Sequence, residues 1–294
     1  MQQLLTWIFE PGFFSSEPVH VAIIIGGASA VVSAIVGVFT VMRGQSFAGH
    51  ALADVSTAGG SGASLIGLSP LLGFVGLGVV GAGTMDVIGI RRVRGRDLAT
   101  GIVLGASIGL AALFLYLDTT SGATTGATQQ ILFGSIFTID SATIPLVIGF
   151  SVVAIGIIAT VYRPLLLSSV SDDIAAARGV PLRLIGVLFM VALAVSVALS
   201  SLTIGAILST ALLIGPAAIA LRVTARLGVA LLVACVIGVF ATWIGVLLAY
   251  DSYYWGSSQQ GFPVSFFIVA LVFLLYLVSG LRIVRDVTSR REQG

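Results

Sequence analysis

The run LGVALLVACVIGVFATWIGVLLAY, residues 227–250, carries no charged side chain. About 20 such residues in a helix cross the hydrocarbon core of a bilayer. This stretch therefore commits its part of the chain to a membrane helix. The rest of the sequence agrees, since only 9% of the residues are charged and 57% are hydrophobic, whereas soluble domains hold about 25% charged residues. No stretch is polar enough to form a separate soluble domain, so residues 1–294 are read as one transmembrane domain. The expected fold is all-α, a polytopic integral membrane helical bundle of eight to nine membrane segments.

Candidate spans cover residues 20–42, 46–67, 70–90, 98–117, 141–162, 181–201, 204–222, 227–249 and 263–281. The apolar runs 46–90 and 181–222 are each too long for a single crossing, because a helix of that length would measure about 60 Å or more. Ser69-Pro70 is expected to break the first run and Ser200-Ser201-Leu202-Thr203 the second. Residues 1–17, with Trp7, Phe9, Phe13 and Phe14, read as an interfacial segment lying on the membrane surface. Pro216 is expected to kink or break its helix. Gly101, Gly105 and Gly109 fall on one helix face, where they are expected to serve close packing within one subunit more than a dimer seam.

The arginines set the orientation. Arg43, Arg91/Arg92/Arg94/Arg96, Arg163/Arg178/Arg183, Arg222/Arg226 and Arg282/Arg285/Arg290/Arg291 occupy every second connection. The alternate connections carry Glu10, Glu17, Asp118, Asp140 and Asp251 and no arginine. Positive charge marks the cytoplasmic side, which puts the N-terminus outside and the C-terminus in the cytoplasm. The polar run TTSGATTGATQQ (119–130) then faces outside. The net charge of +2 reports topology, and no nucleic-acid surface is expected.

Several chemistries are excluded by what the chain lacks. It contains no lysine, which removes a Walker A phosphate loop and any lysine Schiff base. Its single cysteine, Cys235, rules out an internal disulfide and a multi-cysteine metal site. No basic region precedes the first apolar residues, so no cleavable signal peptide is expected. An intramembrane hydrolase lacks a credible nucleophile–base pair, and Asp54 and Asp86 make a poor aspartyl dyad. Asp86 and Asp97 have arginines beside them and read as ion pairs. Asp251 sits among aromatics at an outer helix end, and His20 at the outer mouth of the first span is expected to be solvated.

What remains is RGQSFAGHALADV, residues 43–55, which holds one of the two histidines. His50 and Asp54 are four residues apart and share one helix face. An aspartate at the centre of a membrane helix costs roughly 2.5–3.5 kcal/mol to insert, so it needs a reason to be there. An imidazole nitrogen with carboxylate oxygens suits zinc, manganese or ferrous iron. From spacing alone, a structural His–Asp hydrogen bond stands equal to a metal site. The following DVSTAGGSGAS is small and hydroxyl-rich, as expected of a helix lining a narrow polar passage. One helix cannot complete a metal's coordination shell, so two copies about a twofold axis are attractive on chemistry alone.

Four stretches in order resemble the zinc/manganese/iron family of ATP-binding-cassette importer permeases. They are GVFTVMRGQSFAGHALADVSTAGG (37–60), ILFGSIFTI (131–139), SSVSDDIAAARGVPLR (168–183) and IGAILSTALLIGPAAIALR (204–222). The family usually reads Gly-Asp-Ala-Leu-Ser-His, whereas here the acid and the histidine are exchanged in Gly49-His50-Ala51-Leu52-Ala53-Asp54. The resemblance implies a transport subunit without enzymatic activity and with no permanently bound cofactor, moving a divalent metal ion past His50 and Asp54. It also implies three partners: a cytoplasmic ATP-binding subunit, an extracytoplasmic metal-binding protein and a second permease subunit. The stretch 168–183 would be the coupling segment, with Asp172, Asp173, Ala175, Ala176 and Gly179 at the ATPase. Its two aspartates are expected to cap a short helix that Gly179 and Pro181 end. The alternative is a secondary cation transporter or channel independent of ATP, which would not need the 168–183 segment.

Overall fold

The computed structural model describes residues 12–89, 93–120, 126–134, 136–255 and 261–291. Helix α1 (Glu17–Met42), with proline in its first turn, leads through a short turn to α2 (Ser46–Leu65), then α3 (Pro70–Gly89) and α4 (Val93–Thr120). A short α5 (Ala127–Phe133) precedes the long α6 (Ile144–Val170) and the short α7 (Asp172–Ala177). The chain closes with α8 (Leu182–Ile204), α9 (Ser209–Val223), α10 (Leu227–Ser252) and α11 (Val264–Arg291). No strand occurs among the described residues.

Each expected span falls on one of these helices, in order. Five stretches (Glu17–Met42, Thr100–Thr120, Ser141–Val170, Leu182–Ile204 and Leu227–Ser252) are long and apolar enough to cross a membrane, and α3, α9 and α11 hold shorter apolar stretches. Helix α2 is different. It is as long as a crossing needs but rich in glycine, serine and threonine, and it sits clasped between α3 and α4 with α8 behind it.

Helices α1 and α8 form the centre of the bundle. Helix α1 packs on α6, α8, α9 and α10, and α8 packs on α1, α2, α3 and α6. With no water to expel between membrane helices, association rests on close packing and interhelical hydrogen bonds. Both are present at this crossing: the Ser33 and Ser200 hydroxyls are 2.6 Å apart, and Ser29 donates to the Leu199 carbonyl at 3.4 Å. Gly37 lets α1 approach the backbone of α9 at Leu213.

The first long run breaks where expected, between Leu65 and Pro70. The second breaks later than expected. Ser200 and Thr203 donate to the carbonyls of Ser196 and Leu199 one turn back, so their hydroxyls are satisfied inside a continuous helix. The helix ends only at Gly205, whose φ of 85° and ψ of 157° suit glycine alone. There the chain crosses Gly134, itself at φ 76°, and a Cβ on Gly134 would lie 2.5 Å from the Gly205 nitrogen. Ala206 and Ile207 donate to Ile131 and Leu132 at this crossing, so α5 pins the short link between α8 and α9.

Pro216 stays inside α9, where the helix continues through it and the proline packs near Gly238 of α10. The glycine stripe on α4 differs from expectation: Gly101, Gly105 and Gly109 are exposed, with nothing within 4 Å of where a Cβ would be. They do not serve packing within this chain. Of the interfacial segment expected over 1–17, the described part begins at Gly12, and Phe13 is 4% exposed with its ring edge-on to Tyr250. Asp251 is likewise buried, at the C-terminal end of α10 beside its aromatic neighbours, while His20 is exposed. The arginines flanking Asp86 and the side chains of Asp86 and Asp97 lie outside the described residues.

Candidate metal-pathway site

Helix α2 begins three residues after α1 ends, so the turn 43–45 sets its height directly. His50 and Asp54 follow one turn apart on the same face. Nε2 of His50 lies 4.0 Å from Oδ2 of Asp54. Hydrogen bonds of this kind measure about 2.7–3.2 Å, so the structural hydrogen bond that spacing allowed is not made. The two side chains are 47% and 20% exposed, and Phe47 shares their open face. Leu52 and Ala53, turned the other way, are fully buried.

Oδ2 of Asp54 is buried and accepts no hydrogen bond. Leaving such a group unsatisfied costs at least about 1–3 kcal/mol, which a cation reaching that oxygen would offset. Metal–ligand bonds to imidazole and carboxylate run at about 2.0–2.2 Å. An ion bridging the two atoms at their present spacing would need a wide ligand angle, and a small rotation of either side chain brings them to an ordinary one. Among the described residues no group of three or more His, Cys, Asp or Glu side chains comes together. The arrangement brings together two side chains that could ligate a metal ion, and no third such group among the described residues joins them.

The passage expected beyond Asp54 takes another form. Thr57 and Ser61 lie on the same face one and two turns on, but both are buried and bond back to Ala53 and Thr57 carbonyls. The glycines bring α2 against α3 so closely that a Cβ on Gly59 would lie 2.6 Å from Leu77 Cβ, and one on Gly60 would lie 2.7 Å from the Phe74 ring. Small residues here remove the space between helices instead of opening it. The open part of α2 is the end that carries Phe47, His50 and Asp54.

The segment 168–183 folds as the elbow between α6 and α8. Its N-cap is Ser171, whose hydroxyl accepts from the Ile174 amide at 3.3 Å. Asp172 and Asp173 occupy the first turn, where their charge favours the helix dipole, instead of capping it. Gly179, at φ 75°, ends the helix by donating to the Ala176 carbonyl while Val180 donates to Ala175, and Pro181 becomes the N-cap of α8. Ala175 is fully buried against the bundle, whereas Ala176, Val170 and Ile174 are exposed. Val170, just before this short helix, and Ile174, within it, leave a small apolar surface exposed at the elbow.

Two features escaped the sequence reading. One is the backbone crossing at Gly134 and Gly205, signalled only by a glycine at the end of each apolar run. The other is Arg43, read as a topology marker, whose guanidinium donates to Ser168 Oγ at 2.7 Å.

The model of the ABC 3 transport family matches residues 15–281. The manganese transport system membrane protein MntC of Halalkalibacterium halodurans is 30% identical over 192 residues, 65% of this chain and 63% of that protein. The manganese import system permease protein ScaB of Streptococcus parasanguinis is 27% identical over 174 residues, 58% of this chain and 60% of that one. The matched region thus spans about three fifths of the length of these curated relatives. A solved structure of PsaBC from Streptococcus pneumoniae in complex with Fab shares the fold, with a TM-score of 0.76 at 24% identity over 91% of this chain and 92% of that one. With a family match over nearly its whole length and a bundle of apolar helices, the chain belongs to the ABC 3 transport family, as a multi-pass protein of the plasma membrane.

Proposed function

We propose that this chain carries a divalent transition metal into the cytoplasm, driven by ATP hydrolysis on a separate subunit, with His50 and Asp54 as ligands along the path. The observation that carries the reading is the open face of α2, where an imidazole and a carboxylate with a buried, unpartnered oxygen stand 4.0 Å apart. Manganese is the favoured cargo because the relatives MntC and ScaB are named for its transport. Zinc and ferrous iron accept the same donors.

Two ligands from one chain leave the shell incomplete, and a second copy facing the first across a twofold axis supplies two more. An ion held by exposed side chains, with no enclosing cage, dissociates readily, and transport needs release as much as capture. The arginine distribution supports an orientation with residues 91–97 and the C-terminal tail in the cytoplasm, 119–130 outside and the nine long helices among the described residues crossing. An extracytoplasmic metal-binding protein would deliver at the outer face, and the ATP-binding subunit would dock at Ala175, Ala176 and Gly179, with Asp172 and Asp173 at its edge.

Asp54→Asn keeps shape and removes charge; His50→Ala removes the nitrogen donor. The pair is half-open and shares no hydrogen bond, so each change is expected to alter stability by less than about 1 kcal/mol. Loss of a partner outside a metal's direct ligands already costs about 10–100-fold, so loss of a ligand is expected to cut manganese uptake at least tenfold. Uptake of ⁵⁴Mn by cells expressing each variant, with membrane levels measured in parallel, decides it. Unimpaired uptake by both variants removes these residues from the path.

A further inference from the structure

We infer that Arg43 is the positioning residue that ties the coupling elbow to the metal-bearing helix, so that movement at α7 resets the height of His50 and Asp54. The inference rests on the ATP-coupled reading above. It goes further by naming the link between the two ends of the machinery.

Three elements converge on this side chain. Arg43 is the C-cap of α1, and Gly44 and Gln45 donate back to Val41 and Thr40, which closes the turn tightly before α2 starts. Its guanidinium donates to Ser168 Oγ at 2.7 Å, on the last turn of α6, three residues before the Ser171 cap of α7. The same guanidinium lies 5.4 Å from the centroid of the Phe189 ring on α8, within the range of a cation–π contact. Arg43 thus touches both helices that flank the coupling segment while standing only seven residues before His50.

The surroundings give this link room to work. A polar cavity of about 230 Å³ lies between the turn and the elbow, lined by Arg43, Gln45, Ser168, Ser169, Ser171 and Asp172 among others. Gln45 is 6% exposed, yet its Oε1 has no hydrogen-bond partner. Buried polar groups are nearly always satisfied, so an acceptor left over beside a cavity can take a new partner when the junction shifts without losing a bond it now makes. The turn 43–45 is too short to absorb a displacement of Arg43 by bending, and the shift passes into α2. A rigid element whose position two sites share is the physical requirement for coupling between them.

The test uses the complete importer in proteoliposomes, measuring manganese moved per ATP hydrolysed. Ser168→Ala removes the acceptor with minimal change of volume, and Arg43→Gln removes the charge and the fork. Each is expected to lower the transport-to-hydrolysis ratio about tenfold, as loss of one hydrogen bond to a charged group would, with hydrolysis continuing and thermal stability kept. Ser168→Thr, which keeps a hydroxyl, should restore the ratio. The double variant should be no worse than Arg43→Gln alone, since that change already removes the contact that Ser168→Ala removes. A normal ratio in Ser168→Ala overturns the inference, as does a double variant whose defects simply multiply. Ala176→Glu in the same vesicles separates the two readings: if it is defective while Ser168→Ala couples normally, only the Arg43 link fails, and if it too couples normally, docking at α7 fails.

Discussion

Replacing Gly59 by alanine is the sharpest test of how α2 is held. The added Cβ would lie 2.6 Å from Leu77 Cβ and nearer still to the carbonyl oxygen of Gly73, against 3.4 Å for the shortest ordinary contact. The Gly73 carbonyl oxygen sets the distance, so helices α2 and α3 must part by about 1.3 Å, and this obstacle is backbone, which cannot rotate away as a flexible side chain does. Overpacking of this kind costs about 1–3 kcal/mol and more where backbone is involved. Alanine's better helix propensity returns less than about 1 kcal/mol. For a chain of this size each kcal/mol shifts the midpoint by roughly 2–4 °C, so purified Gly59→Ala is expected to melt several degrees lower. Gly105→Ala is the matched control, because nothing lies within 4 Å of its added Cβ, and it should melt at or slightly above the parent. The assay is thermal unfolding in one detergent, followed by loss of the monodisperse peak. Equal midpoints for Gly59→Ala and Gly105→Ala would refute the reasoning that small residues serve to close α2 on α3.

Cysteines placed at Arg94 and Thr124, with Cys235 replaced, should react with an impermeant maleimide from opposite membrane faces; labelling from one face reverses the arginine argument. Ala176→Glu should lower transport-stimulated ATP hydrolysis several-fold without lowering the amount of chain in the membrane, measured on purified vesicles. Gly205→Ala forces a side chain into a φ of 85° and against Leu132 and Phe133, and should cost at least about 1–3 kcal/mol in the same melting assay. The exchange His50→Asp with Asp54→His returns the order usual in the resembling family and should retain part of the manganese uptake, with changed preference among manganese, zinc and iron in competition assays.

Helix positions were legible because membrane helices are set by apolar length, and every expected span lies on a helix. The pairing of His50 with Asp54 was legible too, since a spacing of four fixes a shared face whatever surrounds it. What surrounds them was not. Gly59, Gly60 and Ser61 are as compatible with a polar channel as with a tight seam, and only the presence of Gly73 and Phe74 opposite decides for the seam. Glycine reports that something comes close without saying what. Gly101, Gly105 and Gly109 show the same ambiguity in reverse, for their pattern promised a neighbour that this chain does not supply. The late break at Gly205 was hidden by Ser200 and Thr203, whose hydroxyls end helices when they cap and continue them when they bond back. Arg43 and Ser168 stand 125 residues apart, and nothing local in either stretch names the other.

The exchanged order of the pair has a physical consequence along the path. Four residues of helix separate the donors by about 6 Å along the axis, so exchanging them moves the charge one turn while keeping both on the face. Here the carboxylate stands on the more enclosed side, 20% exposed, and the imidazole on the more open side, 47% exposed. Coulomb attraction strengthens as solvent is withdrawn, so the enclosed carboxylate is the stronger attractor for a divalent ion and the open imidazole the weaker. In the proposed orientation Asp54 is nearer the outside and His50 nearer the cytoplasm. If His50 and Asp54 are ligands as proposed, an ion moving inward would pass from its tighter ligand to its looser one, and the step toward the cytoplasm would lower the barrier to release.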